Sequence, residues 1–253
     1  RRAEARIVWR RRGDWRALKP DSTFAYSRIV TCDWENEAQG EIHIERLNPA
    51  AERPVRRDAD ALLADLEGVM RFAVGNAKSL VHYVAGLRQR GAINRLELNT
   101  LAAVGAWAKQ VYWRGCYDNG EDEALVVETD PPPSFKYWNL QITDEFWRSL
   151  DYFNTMSSVN DFQAWHAGNG KAYAVIANRD PGVPNWLDTG GYLRGAMLGR
   201  WNGADATPLP NVTRVKLADL RIHLPADTPE VTLAQRCEWI ARMRRAQQRR
   251  FGY

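Results

Sequence analysis

Hydrophobic residues recur every three or four positions along residues 58–90, and this spacing predicts a long amphipathic helix. The apolar positions form one stripe: Leu62, Leu66, Val69, Met70, Ala73, Ala77, Leu80, Val81, Val84 and Leu87. Asp58 or Asp60 is placed to cap the start of this helix, and Gly91 follows its end. A second helical piece is predicted around residues 101–110, so the helical part of the chain is expected to span about residues 58–110.

Apolar or alternating runs between turn residues predict strands over residues 3–9, 123–129, 135–142, 173–178, 195–201 and 212–217. A hairpin is predicted over residues 24–47, and a short helix over residues 143–152. Thr232 and Gln235 form a capping box that begins a C-terminal helix of about residues 232–249. Because the pattern contains no βαβ alternation and no internal repeat, we expect one domain over residues 1–253, with a mostly antiparallel sheet system that helices interrupt and close.

The predicted hairpin has an acidic face, because strand alternation brings its charged side chains to one side. The residues on that face are Asp33, Glu35, Glu37, Glu41, His43 and Glu45. Like charges opposite one another destabilise a sheet, so this face requires water, arginine partners or a cation. A solvated face beside arginines and a site for a hard divalent ion both remain open.

Composition excludes several classes of protein. Apolar content of 45% and charged content of 26% are ordinary for a globular domain, and no apolar run approaches the roughly 20 residues of a membrane span. The arginine-rich start does not resemble a signal peptide, and the three cysteines form no CxxC pair. We therefore expect a cytoplasmic protein without a membrane partner.

Charge and histidine placement also limit the chemistry. Arginines cluster near both ends of the chain, but no nucleic-acid-binding motif accompanies them, so we expect no nucleic-acid partner. Nucleotide-binding glycine motifs and the GxSxG motif are absent, and the four histidines are scattered. The sequence thus predicts no cofactor and no metal site built from histidines.

The loop over residues 180–188 is the candidate functional segment, because turn-forming, amide, carboxylate and tryptophan side chains are concentrated in it. Asp188 and Asp180 are the candidate catalytic carboxylates, and glycoside hydrolysis would require two such groups. The predicted ligand-binding residues are Asn185, Trp186, Tyr137, Asn139 and Arg200. The same loop residues are also typical of a purely structural turn, in which Asn185 and Asp188 bond to the backbone and Trp186 fills the core.

Several segments together are similar to a known bacterial family. They are Arg12-Gly13-Asp14-Trp15, Cys32-Asp33-Trp34, Ile44-Glu45-Arg46, Glu123-Ala124-Leu125, Tyr137-Trp138-Asn139, Arg200-Trp201 and the run from Asp180 through Pro184 to Asp188, which reads DPGVPNWLD. This pattern resembles the domain-of-unknown-function family numbered twelve-fourteen across nearly the whole chain. One departure is that Gly191 and Tyr192 stand where relatives often have a histidine after the glycine.

The resemblance implies an α+β, mostly β fold: a jelly-roll-like antiparallel β-sandwich with an inserted helical segment and a C-terminal helix. It also implies that relatives carry additional N-terminal sequence. It implies no catalytic residues, because the activity of that family is not established. From the residues of the 180–188 loop, the chain is instead expected to be a small-ligand-binding enzyme or enzyme component that acts at this loop on a hydroxylated, carbohydrate-like or apolar metabolite. The alternative is a non-catalytic binding or assembly domain, completed by an N-terminal segment or by a partner subunit in a homo-oligomer.

Overall fold

The structure is a computed structural model that describes residues 6–8, 15–17, 30–38, 40, 56–100 and 110–251. The chain divides into two compact units, residues 1–31 and residues 32–253. In the first unit, strands β1 (Arg6–Val8) and β2 (Trp15–Ala17) form an antiparallel pair in which Ile7 lies opposite Arg16. Strand β1 lies within the strand that the sequence predicts over residues 3–9. The prediction that the chain is a single domain stays a prediction.

The second unit contains both helices and nine strands of the described part of the chain. The helices are α1 (Ala59–Gln89) and α2 (Leu233–Phe251), and a 3₁₀ helix spans Leu217–His223. The strands are β3 (Glu97–Thr100), β4 (Gln110–Asp118), β5 (Glu123–Thr129), β6 (Tyr137–Asp144), β7 (Ser158–Asn160), β8 (Ala172–Ala177), β9 (Trp186–Asp188), β10 (Arg194–Asn202) and β11 (Asn211–Lys216).

These strands form two sheets, one of five strands in the order β3-β4-β10-β6-β7 and one of four in the order β11-β5-β8-β9. The sheets pack face to face, because one buried cluster draws Trp138 and Met197 from the first sheet and Leu125 and Ile176 from the second. The expected α+β, mostly β sandwich is therefore confirmed. One pair departs from the antiparallel pattern, since β9 runs parallel to β8.

The core between the sheets is aromatic. Trp113, Trp138 and Trp201 are buried on three adjacent strands, and their ring centroids lie 6.1–6.3 Å apart at tilted angles. Tilted contacts of this kind contribute beyond simple area burial. Because successive side chains of a strand point to opposite faces, this core also determines which residues face outward.

The outer faces of the two sheets are covered differently. Val183, Trp186, Leu220 and Leu224 pack on the outer face of the four-stranded sheet in a second buried cluster. On the five-stranded sheet, the C-terminal end of α1 packs Val84 and Leu87 against Cys116 and Ala196 of the strands. Only the last turns of α1 reach this sheet.

Helix α2 follows the side of the sandwich where β7 and β9 are the edge strands. Arg236 of α2 contacts Met156, two residues before β7, and Asp180, which precedes β9. Further along the helix, Gln247 donates to the carbonyl of Tyr152 at 2.8 Å. The C-terminal helix therefore ties the two sheet edges together. Within the described ranges, neither helix combines the length and the apolar character needed to cross a membrane.

Two sequence-based predictions of local structure are wrong. Residues 145–152 do not form a helix, because the Asp144 carboxylate accepts the backbone N–H groups of Phe146 and Arg148, both at 2.9 Å, and closes a tight turn. Trp147 within this turn has a φ of 62°, a left-handed conformation that interrupts helical geometry.

The second error concerns residues 33–37, which belong to the hairpin predicted over residues 24–47; residues 24–29, 39 and 41–47 of that hairpin lie outside the described residues. Residues 33–37 form a turn, because Asp33 accepts the backbone N–H groups of Glu35 and Asn36, both at 3.1 Å. Glu35 lies in this turn and binds Arg242 of α2, and because the turn is not part of a strand, Glu35 belongs to no sheet face. Glu41, His43 and Glu45 lie outside the described residues, as does the helical piece predicted over residues 101–109.

Candidate functional site

Asp180, one of the two candidate catalytic carboxylates, is bound by a buried arginine. Arg236 donates from Nε to Asp180 Oδ2 at 2.9 Å and from Nη2 to Asp180 Oδ1 at 3.0 Å. The same Nη2 also donates to the carbonyl of Val183 at 2.7 Å. This bidentate pair has the geometry that planar arginine recognition favours. Asp180 thus holds α2 against the loop.

Asn185 occupies a left-handed backbone position with a φ of 53°. Its side-chain oxygen accepts the backbone N–H of Trp165 at 2.8 Å, and its Nδ2 donates to the carbonyls of Trp165 and Tyr173 at 2.8 and 3.3 Å. Asparagine tolerates this backbone region better than most residues. The amide is fully engaged in joining the loop to residues 165 and 173.

Trp186 is buried on the outer face of the four-stranded sheet. Its indole Nε1 donates to the carbonyl of Ala177 at 2.9 Å, and the guanidinium of Arg236 lies 5.1 Å from its ring centroid. Both its polar atom and its ring face are therefore occupied by contacts within the chain.

Asp188 ends β9 and is half-buried. Its Oδ1 accepts the backbone N–H of Gly190 at 2.8 Å. Burial raises the pKa of Asp188 above its usual value, the hydrogen bond from Gly190 opposes that rise, and the nearby charge of Asp180 adds to it. Burial therefore gives the Asp188 carboxyl a greater tendency to hold a proton than it would have in water.

The other predicted ligand-binding residues lie on a different surface. Trp138 and Trp201 point into the core, so Tyr137, Asn139 and Arg200 face outward from the five-stranded sheet. By the same alternation, Leu187 points into the core and Asp188 faces outward from the four-stranded sheet. Both sheets separate the two groups. The structure does not bring Tyr137, Asn139 and Arg200 together with the 180–188 loop.

The outer face of the five-stranded sheet carries its own polar group. Arg200 lies directly opposite Asn139, and its guanidinium lies 5.2 Å from the ring centroid of Tyr112. Burial raises the pKa of Tyr137 to about 12. Arg200 Nε and Asn139 Oδ1 are buried and have no hydrogen-bond partner in the part of the chain that the structure describes.

A cleft of about 600 Å³ opens at one end of the sandwich, which we call the end cleft. It lies where β4 and β6 finish and where β5 and β10 begin. Its lining residues are Asp118, Asn119, Gly120, Glu123, Glu145, Gly191, Tyr192, Leu193, Arg194 and Arg214. Asp188 ends β9 at the same end of the sandwich, because β9 runs parallel to β8 and β8 finishes opposite the start of β5.

Charged side chains of both signs surround the end cleft. Asp118 Oδ2 lies 3.3 Å from Arg88 and 3.1 Å from Arg194, and Arg88 also lies 3.2 Å from Glu145. Arg194 is more than half exposed, so this pair is open to solvent and contributes little to stability. The carboxylates and guanidinium groups at the rim are placed to exchange their present partners for a polar ligand.

Asn119 lies at the base of this arrangement and is only 5% exposed. Its Nδ2 donates to the carbonyl of Ile176 at 3.2 Å, whereas its Oδ1 has no partner among the described residues. The hydroxyl of Tyr117, two positions earlier on β4, is also buried without a partner there. Buried polar atoms of this kind are normally satisfied by protein, water or ligand.

The end cleft was not predicted from the sequence. A signal was present, since Gly190 and Gly191 follow the DPGVPNWLD segment after Thr189, and in the structure both have positive φ, 60° and 90°. These glycines turn the chain from β9 towards Tyr192 and Arg194. The family-like segment therefore leads into the cleft, although most of its own side chains serve the fold.

Metal binding has no support in this region. Among the residues that the structure describes, no three His, Cys, Asp or Glu side chains converge in a way that would hold a metal ion. Asp33, Glu35 and Glu37 from the predicted acidic face lie in a turn, where Glu35 pairs with Arg242 and Glu37 accepts the backbone N–H of Asp33.

Comparisons with known proteins found similarity to solved structures. No family model matches the sequence, and no curated protein matches it. An uncharacterised protein from Burkholderia cenocepacia is similar at 33% identity and a TM-score of 0.61, over 67% of this chain and 47% of that protein. A protein from Vibrio parahaemolyticus is similar at 18% identity and a TM-score of 0.38, over 46% of this chain and 34% of that protein. The chain thus corresponds to about half of the Burkholderia protein, with which it shares both sequence and fold over two thirds of its own length.

Proposed function

We propose that this chain binds a small hydroxylated, carbohydrate-like molecule in the end cleft, as an enzyme or as a component of one. The observation that carries the proposal is the cleft itself, which has a volume within the range of small-molecule sites and is lined by carboxylate, amide, guanidinium and phenol groups. Such groups match the alternating donors and acceptors of a polyol or sugar better than they match an apolar metabolite.

Individual residues support this assignment. Asn119 offers a buried oxygen without a partner among the described residues, and Tyr192 presents a ring that is 45% exposed at the cleft rim. A ring face of this kind stacks on a flat or sugar-like ligand. Arg194, which pairs with Asp118, and Glu145, which pairs with Arg88, supply charge-assisted hydrogen bonds to such a ligand.

For any reaction at this end of the molecule, Asp188 is the proposed catalytic carboxyl, because it ends β9 at the same end of the sandwich as the end cleft, and burial raises its pKa above the usual value. Asp180 is bound by Arg236 and serves the fold in this proposal. Membership of the family numbered twelve-fourteen is also proposed, on the DPGVPNWLD segment and the glycine turn that follows it.

The test is a titration of the purified chain with neutral hexoses and with sugar acids, followed by calorimetry and saturation-transfer nuclear magnetic resonance. We expect at least one of these two ligand classes to bind. The double variant Tyr192→Ala/Arg194→Ala should bind that ligand with at least tenfold lower affinity. The matched control is Tyr152→Ala/Arg245→Ala, which removes a similarly exposed tyrosine and an exposed arginine away from the cleft. Absence of binding by both ligand classes, or equal loss in both double variants, would reject the proposal.

The alternative role, a non-catalytic assembly domain, is favoured by a separate observation. Most of helix α1 lies exposed with apolar side chains on its surface. An assembly role does not compete with ligand binding, because the exposed part of α1, residues 59–79, contributes no residue to the lining of the cleft.

A further inference from the structure

The first two thirds of α1 have almost no contact with the rest of the described chain. Every residue from 59 to 79 is exposed except Gly68, and buried positions begin only at Val84. The exposed side chains include large apolar ones: Leu66 is 55% exposed, Val69 64%, Met70 67% and Phe72 75%. Isolated helices are marginal in water, so a helix of this length normally depends on packing along one face.

The exposed apolar residues form a single surface on the helix. At 100° per residue, Leu62, Leu63, Leu66, Val69, Met70 and Val74 fall within one arc of about 140°, and we call this surface the α1 stripe. Asp60, Glu67, Arg71 and Lys78 lie outside that arc. Further along the helix, Val84 and Leu87 continue the same arc and are buried against the sheet. The α1 stripe therefore continues the helix face that packs on the five-stranded sheet, but it lies beyond the part of the helix that the sheet covers.

The stripe is large enough for a specific interface. Together with Phe72 it exposes on the order of 800 Å², which is the area that each partner contributes to a standard protein interface. Contiguous exposed apolar patches of this size mark interaction sites on monomeric proteins.

The charges of α1 favour a second copy of the same helix in antiparallel orientation. Its acidic residues, Asp60, Asp65 and Glu67, all precede Val69, and its basic residues Arg71, Lys78 and Arg88 all follow it. In an antiparallel pair the acidic half of each helix lies beside the basic half of the other, and the two helix dipoles are also opposed. A parallel pair would place like charges side by side.

We propose that two copies of this chain form a homodimer by antiparallel packing of their α1 stripes around a two-fold axis near Val69. A two-fold interface uses the same patch on both subunits, so a self-complementary apolar surface with opposite charges at its two ends satisfies its geometry. The dimer does not depend on ligand binding in the end cleft.

A membrane surface is the less favoured occupant of the stripe. Helices that lie in the membrane interface are typically rich in lysine and arginine on their polar face. The polar side of α1 carries Asp60 and Glu67 alongside Arg71 and Lys78, so it lacks the excess of positive charge that attracts anionic lipid.

The first test measures molecular mass by sedimentation equilibrium across a hundredfold range of protein concentration. We expect a dimer for the natural sequence and a monomer for Leu66→Gln/Val69→Gln. The control Ala64→Gln/His82→Gln introduces the same side chain at two exposed positions on the opposite side of the helix, and it should remain dimeric. Circular dichroism confirms that each variant retains its helix content.

The second test determines the orientation of the helices by disulfide formation, in a Cys237→Ser background because Cys237 is exposed. A cysteine at Val69, close to the two-fold axis, should form a covalent dimer on mild oxidation. A cysteine at Leu62 should not, since its two copies would lie roughly 20 Å apart along antiparallel helices, far beyond the Cα separation of about 7 Å that a disulfide tolerates.

Three results would overturn the proposal. A monomer at every concentration rejects the dimer, and a monomer that floats with phosphatidylserine vesicles assigns the stripe to a membrane surface instead. An unchanged dimer in Leu66→Gln/Val69→Gln places the interface elsewhere. Covalent dimers from both cysteine positions would show parallel helices and reject the antiparallel arrangement.

Discussion

Two glycines of β10 allow the aromatic core to lie directly on the strand. A Cβ at Gly199 would overlap the ring of Trp113, and a Cβ at Gly195 would overlap the hydroxyl of Tyr117 and the carbonyl of Thr143. Neither position requires a left-handed backbone, so the requirement is for space alone. Close packing in protein interiors makes such an overlap costly, because the neighbouring ring has no room to move.

Gly199→Ala should therefore destabilise the fold by about 3 kcal/mol, the upper part of the range for overpacked cores. Gly75→Ala is the matched control, since a Cβ at Gly75 on the exposed side of α1 meets nothing within 4 Å. That change should stabilise the helix by about 0.5–1 kcal/mol. Urea unfolding of the two variants measures both effects, and a similar sign in both would contradict the packing argument.

Asp188 should make stability depend on pH in the direction opposite to that of an ion-paired carboxylate. Its pKa is raised in the folded state, mainly by burial, so the folded protein binds the proton more tightly than the unfolded chain. The stability that protonated Asp188 contributes is fully present below the pKa of this group in the unfolded chain. It is lost as the pH rises through the pKa of the group in the folded protein.

We therefore expect Asp188→Asn to leave stability nearly unchanged at pH 3 and to raise it at pH 7, relative to the natural sequence. The free energy of unfolding, measured in urea from pH 3 to pH 7, gives the difference between the two proteins. A difference that shrinks as pH rises would show that the folded protein favours the Asp188 carboxylate.

At the scale of elements, a buried arginine forms the ion pair that attaches the N-terminal part of α2 to the sandwich. Arg236 is buried and contacts Asp180, the carbonyl of Val183 and the ring of Trp186. Removing one partner of a buried ion pair leaves an uncompensated charge, which is more harmful than removing an exposed pair.

Asp180→Ala should therefore cost about 3–5 kcal/mol of stability, because it strands the Arg236 guanidinium in a buried position. The control is Glu35→Ala, which breaks a more exposed ion pair with Arg242 of the same helix. This substitution should cost at most about 1 kcal/mol of stability. Equal losses, measured by urea unfolding, would show that Asp180 is not the anchor of α2.

At the scale of the whole molecule, the proposed dimer should link stability to protein concentration. Association that occurs only in the folded state raises the unfolding temperature as concentration rises. The natural sequence should therefore unfold at a higher temperature at 100 μM than at 1 μM. Calorimetry of Leu66→Gln/Val69→Gln should show no such dependence, and a dependence of equal size in that variant would indicate association through another surface.

Several elements could be predicted from the sequence because their signals are local. The 3.6-residue period of α1 and the apolar runs of β5 and β8 reflect one surface of each element, and the observed bounds agree closely with the predicted ones. Strand β4 was missed because Gly115 interrupts its alternation. Strands β7 and β9 were missed because three residues carry too little pattern to distinguish them from a loop.

The candidate site could be predicted only in part. The sequence singled out the 180–188 loop, whose hydrogen-bonding residues have local partners as well as distant ones. Asn185 binds residues 165 and 173, and Asp180 binds Arg236 from the far end of the chain. Such partners cannot be deduced from spacing along the chain, so the sequence alone does not distinguish a structural role from a chemical role for these side chains.

What the sequence by itself determined is the class of each strong element and the face it buries, because side-chain direction repeats with a local period. Only the tertiary structure decided which strand ends meet, and thereby formed the end cleft from residues near 118, 145 and 192. It also decided that Asp188 and Arg200 lie on opposite sides of the sandwich and that the α1 stripe extends beyond the sheet. These outcomes depend on non-local strand pairing and on where packing partners end, and no local pattern encodes either one.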